Sequence, residues 1–96
     1  MTAYLIAEVE VTDAEKFAEY RSQVAATFTP YQGRFLASST DTIGLEGEPP
    51  KGRIVIVEFP SLAVARAWWA SEEYAAPKAL RMQAARTRLI AVAGYD

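Results

Sequence analysis

Ninety-six residues, 51% of them apolar and 23% charged, suit one domain around one core and exclude a disordered tail, a collagen-like rod and a membrane span. Ten Lys and Arg against 12 Asp and Glu leave a net charge of −2, the wrong sign for a nucleic-acid footprint. The chain holds no Cys, no His and no Asn, so disulfides, thiolate or Ser-His nucleophiles, imidazole metal ligands and a proximal haem histidine are excluded. Any general acid or base must be Asp, Glu, Tyr or Lys. No Asp-rich loop offers a hard-cation site, and neither a metal nor a cofactor is expected.

In chain order, residues 4–11 alternate as a first strand, with Leu5, Ala7, Val9 and Val11 on one face and Tyr4, Ile6, Glu8 and Glu10 on the other. This start lacks a basic stretch before its short apolar run, so no signal peptide is visible and a cytoplasmic location is the expectation. Thr12 and Glu15 have the spacing of a capping box, and Phe17, Val24 and Phe28 follow near helical spacing, predicting a helix over roughly 13–28 that Pro30 halts. Tyr31-Gln32-Gly33 turns into a second strand from Arg34 to Ser38, which the pattern extends past Asp41 toward Leu45 with an irregularity between. The Gly- and Pro-rich run 47–52 separates it from a third strand over Arg53–Phe59.

Ser61 can cap a second helix carrying Leu62, Ala65 and Trp69 on one stripe, with Val64 and Trp68 beside it. Ser71-Glu72-Glu73-Tyr74 reads as a fresh helix start, and Pro77 as the first turn of a further helical piece running toward Ala85. Residues 87–93 read as a last strand. The order β-α-β-β-α-β, in one domain over residues 1–96, predicts an α+β, ferredoxin-like fold: an antiparallel four-stranded sheet with two helices on one face.

Two helices cover one face of such a sheet. The other would carry Tyr4, Ile6, Ile54, Ile56, Ile90 and Val92 along with Glu8, Glu58 and Arg88, too apolar for a solvated face. A homodimer that buries these faces against each other, a dimeric α/β barrel, is therefore expected. Glu8 and Glu58 lie on the two central strands and could meet there. One of them would then have a raised pKa suited to acid-base work, unless Arg34 or Arg88 neutralises the pair as an ion-pair network.

Aromatic residues form the second constellation. Tyr20, Tyr31, Trp68 and Tyr74, with Arg34 after the Gly33 turn and Glu58, are the candidate ligand-binding residues; Arg81 is a weaker one. Each has a plainer reading, as core for the rings and as surface or ion-paired side chains for the charges. Adjacent tryptophans point about 100° apart on a helix, so Trp68 and Trp69 cannot both face the core. The glycines 44, 47 and 52 are not spaced as a phosphate loop.

The stretches Tyr4–Asp13, Phe17–Tyr20, Tyr31–Arg34, Leu45–Gly47, Val57–Leu62 and Ala65–Tyr74 together resemble the bacterial family called domain of unknown function 1330. The resemblance runs nearly end to end and implies the dimeric α/β-barrel superfamily. That superfamily includes cofactor-free oxygenases, haem-degrading enzymes, isomerases and stress-responsive proteins. Gln32 and Trp69 depart from the family's usual Gly and Tyr. Two functions follow as alternatives: a dimer binding a small aromatic or carboxylated metabolite, with or without cofactor-independent catalysis in which Glu58 is acid or base, and a non-catalytic structural or stress-related module. Neither a nucleic acid nor a membrane is expected as partner.

Overall fold

The computed structural model describes residues 1–95. Four strands, β1 (Ala3–Val11), β2 (Arg34–Ser39), β3 (Arg53–Phe59) and β4 (Ala85–Ala93), form one antiparallel sheet in the order β2-β3-β1-β4. Helices α1 (Ala14–Phe28), α2 (Leu62–Trp69) and α3 (Glu72–Ala84) complete the ferredoxin-like arrangement. The second helical region is thus two helices, and the expected pair becomes three.

Strand alternation carries the packing. Ala3, Leu5, Ala7 and Val9 of β1 and Val57 and Phe59 of β3 are buried beneath the helices. Their neighbours Tyr4, Ile6, Glu8, Ile54, Ile56 and Glu58 take the other face. Against the sheet, Phe17, Val24 and Phe28 of α1 and Ala65 and Trp68 of α2 close the core, with Tyr74 of α3.

The ends of the elements differ from the sequence expectation in physically simple ways. Asp13, not Thr12, caps α1: its carboxylate accepts from the Lys16 N–H at 3.1 Å, and the N–H groups of Thr12 and Asp13 both donate to the Ala84 carbonyl, at 2.8 and 3.0 Å. Pro30 does not simply stop the chain but starts a single 3-10 turn, Thr29–Tyr31. It leads to Gln32 at φ 57°, a left-handed position that favours glycine and at which a side chain is strained.

β2 carries a bulge at Leu36, between Phe35 and Ala37, inside the stretch expected to be regular, and the strand ends at Ser39 rather than continuing past Asp41 toward Leu45. Gly52, at φ +115°, sits where a Cβ would collide with the Val9 carbonyl oxygen, so the turn into β3 admits no side chain. The second helical region breaks at Ala70-Ser71, where the Ser71 hydroxyl accepts from the Tyr74 N–H at 3.2 Å. Pro77 lies inside α3 and does not begin a helix; its lost hydrogen bond is tolerated because its ring is buried. β4 starts at Ala85, two residues earlier than the pattern suggested.

Candidate functional site

A cavity of about 370 Å³ lies between the helices and the sheet, at the small end of the range for ligand pockets. Its floor is the inward face of the strands, including Leu5, Ala7, Val55 and Leu89, and its roof comes from α1 and the two later helices. Four aromatic side chains cluster beside it. Trp68 and Tyr74 rings stack at 3.9 Å, and Phe28 and Phe59 sit 5.1 and 5.5 Å from the Trp68 ring. The indole N–H donates to Thr27 Oγ1 at 2.9 Å, and the Thr27 hydroxyl donates in turn to the Val24 carbonyl at 2.6 Å. Trp68 is thereby fixed in the core, whereas Trp69 is 41% exposed beneath the Lys78 ammonium, 3.8 Å from its ring centre.

Polar groups converge inside this apolar chamber. Arg81 of α3 is only 6% exposed. Its Nε donates to the Tyr74 hydroxyl oxygen at 3.2 Å, and the Tyr74 and Tyr20 hydroxyls are hydrogen-bonded at 2.9 Å. Among the described residues no carboxylate lies within ion-pair distance of Arg81. A buried guanidinium normally has such a partner, because desolvating an uncompensated charge is costly. Thr87, also lining the cavity, holds a buried hydroxyl with no hydrogen-bond partner. The charged residues around the cavity are all arginines, Arg21, Arg53 and Arg81, in a chain whose net charge is −2.

Burial pushes the Tyr20 phenol far above its ordinary value, with the neighbouring Tyr74 adding to the rise and Arg81 partly opposing it. Tyr20 is therefore a neutral hydroxyl, able to donate or accept a hydrogen bond and unsuited to act as a base. Its raised folded-state pKa stabilises the fold fully below the unfolded tyrosine pKa of about 10, and that contribution is lost as pH rises beyond it. Tyr20→Phe is expected to make the unfolding free energy fall less steeply with pH above about 10; chemical denaturation across that range measures the slope, and an unchanged slope would refute the coupling. What the cavity supplies chemically is electrostatic: one buried cation and two phenolic hydroxyls that stabilise negative charge on whatever occupies it.

Of the six residues singled out from sequence, the structure brings together three, Tyr20, Trp68 and Tyr74, at this cavity. The others lie elsewhere. Arg34 and Glu58 pair at 2.8 Å on the opposite face of the sheet, with the arginine side chain 73% exposed. Tyr31 donates to Glu73 at 3.1 Å on the outer surface. Glu8 and Glu58 do not meet: Glu58 faces Tyr4 and Glu8 faces Ile54, four residues apart along the strands, about 13 Å. Each carboxylate has its own arginine, Arg34 for Glu58 and Arg88 for Glu8 at 3.7 Å, which is the ion-pair alternative.

Arg81, the weaker candidate, is the central polar group. Its sequence signal is positional: buried Tyr74, Pro77, Arg81 and Ala84 form one stripe of α3 at helical spacing, and a cation stands in that apolar stripe.

The fold is shared with solved proteins at low sequence identity. A protein of unknown function from Rhodopseudomonas palustris is 21% identical, with a TM-score of 0.77 over 99% of this chain and 83% of that one. A dimeric ferredoxin-like protein of unknown function from Jannaschia sp. matches at 0.75 and 8% identity, over 98% and 100% of the two chains. SnoaB, a cofactor-independent oxygenase from Streptomyces nogalater, matches at 0.70 and 12% identity, over 99% and 94%. No curated protein matches the sequence. The family model described as Domain of unknown function (DUF1330) matches residues 2–95, and the chain belongs to that family.

Proposed function

We propose that the protein is a homodimer whose interior cavity binds a small organic anion, an aromatic or other apolar acid, with its acidic group on Arg81. The observation that carries this reading is the buried guanidinium with no carboxylate partner among the described residues, set in an aromatic chamber beside two tyrosine hydroxyls. The unpartnered Thr87 hydroxyl supports it, since a ligand oxygen would satisfy it. Tyr20, Tyr74 and Arg81 orient the acid, and Trp68 provides an apolar wall for its body. Glu58 takes no part, because it points away from the cavity. The oxygenase SnoaB shares the fold, and the charge-stabilising pocket suits cofactor-free chemistry on a bound anion as well as simple binding.

Dimerisation is supported by the open sheet face. Ile6 stands directly between Ile56 and Ile90 across three strands, and Ile90 is 60% exposed in the single chain. The ion pairs Arg34–Glu58, Arg88–Glu8 and Arg86–Glu10 lie around this apolar row, as the polar rim of an interface does.

The test of the anion site is titration of the intrinsic tryptophan fluorescence with benzoate, in a Trp69→Phe background so that Trp68 alone reports. The protein with Arg81 intact is expected to respond saturably, and Arg81→Gln to bind at least tenfold more weakly, which is the scale of one lost charge-assisted hydrogen bond. Arg81→Lys, keeping the charge but not the planar fork, should fall between them. Equal affinity in all three proteins, with folds verified by circular dichroism, would refute the assignment.

A further inference from the structure

Two more arginines line the cavity, and nothing in the reading above uses them. Arg53 lies near the start of β3 and is half-buried, with its Nη1 donating to Ser38 Oγ at 3.3 Å. Arg21 lies on the exposed flank of α1, one residue beyond Tyr20. Neither has a carboxylate within ion-pair distance among the described residues, although the chain carries more acidic residues than basic ones. Together with Ser38, itself exposed on the edge strand β2, they form a solvent-accessible part of the cavity's lining, which we call its mouth.

The sheet register fixes how far this cationic mouth stands from the buried end. Val9 is paired with Arg53 on one side and with Thr87 on the other. Arg53 and Thr87 therefore face the helices from one row, two strand spacings apart, about 10 Å at the backbone. Thr87 and Arg81 belong to the same end, since both line the cavity and a shallow depression behind it. Between the two ends the wall is apolar, formed by Val9, Val55 and Leu89. A monoacid on Arg81 leaves the mouth arginines without an anionic partner.

Building on the anion-site reading, we infer that the cavity is selective for diacids: compounds with one acidic group on Arg81, a short apolar or aromatic body, and a second acidic group at the mouth held by Arg53 and Arg21. Paired cations at opposite ends of an apolar slot discriminate by charge and by length together. The deep group is held in a desolvated setting and the outer one in a wetter, salt-sensitive setting.

The experiment is calorimetric titration with terephthalate, its monoamide and benzoate, on the native protein and on the double variant Arg21→Gln/Arg53→Gln. Both substituted side chains lie at the cavity's rim, so the fold should persist. Terephthalate should bind the native protein at least tenfold more tightly than its monoamide, which has the same size and one charge fewer. This ratio should shrink as salt is added and fall to about one in the double variant, with benzoate affinity unchanged. Equal binding of diacid and monoamide to the native protein, or a ratio that survives the double substitution, would overturn the diacid inference while leaving the benzoate site intact. Failure of all three acids to bind would overturn the site and the inference together.

Discussion

Ile6→Glu is expected to split the proposed homodimer into monomers that keep their fold. Ile6 occupies the middle of the open face, with Ile56 and Ile90 as its cross-strand neighbours, and it does not belong to the buried clusters under the helices. Burying an isoleucine side chain contributes about 1.5–3 kcal/mol, and two-fold symmetry counts each substitution twice. The loss of about 3 kcal/mol or more corresponds to at least a hundredfold weaker association, before the cost of forcing a carboxylate into the interface. Sedimentation equilibrium measures the effect. Ile90→Ala should weaken the dimer in the same direction by less. A native protein that is monomeric at micromolar concentration, or an Ile6→Glu variant that remains a dimer of native affinity, would exclude this face as the interface.

The second large effect belongs to the core. Trp68→Ala is expected to cost about 3–5 kcal/mol, the usual range for deleting a fully buried large ring, out of a total stability of roughly 5–15 kcal/mol. The ring stacks on Tyr74 and contacts Phe28 and Phe59, so its removal opens the roof of the cavity as well as the core. Thr27→Val isolates the polar component: it strands the indole N–H that now bonds Thr27 Oγ1, an expected cost of about 1–3 kcal/mol. Denaturant titration followed by far-ultraviolet circular dichroism measures both, and a Trp68→Ala protein within 1 kcal/mol of the native one would contradict the packing described.

The sheet was legible in the sequence because strand alternation is a local property. The parity of Leu5, Ala7 and Val9 against Tyr4, Ile6 and Glu8 separates the two faces, and the same parity in β3 puts Glu58 opposite to Val57 and Phe59. That parity already conflicts with a Glu58 facing a cleft beneath the helices. Register was not legible: whether Glu8 and Glu58 meet depends on how far one strand slides past the other, which is decided by the turns and by the packing of the whole sheet.

Caps and breaks fell between these extremes. Ser61 and Ser71 cap as their spacing suggests, but the cap expected at Thr12 falls one residue later, on Asp13, whose carboxylate reaches the Lys16 N–H. At Pro77 packing overrides the local signal, since the ring is buried and α3 continues through it. At the cavity, Tyr20, Trp68 and Tyr74 could be named from their aromatic character. Arg81 needed the helical stripe in which it stands, and its lack of a carboxylate is a three-dimensional fact that no spacing along the chain conveys.

If Arg81 recognises negative charge rather than shape, an uncharged isostere of a bound acid must bind far more weakly. Calorimetric comparison of benzoate with benzamide, nearly equal in size and differing in charge, tests this most directly. Benzoate is expected to bind saturably and benzamide at least tenfold more weakly; equal affinities for the two would rule out charge recognition at Arg81.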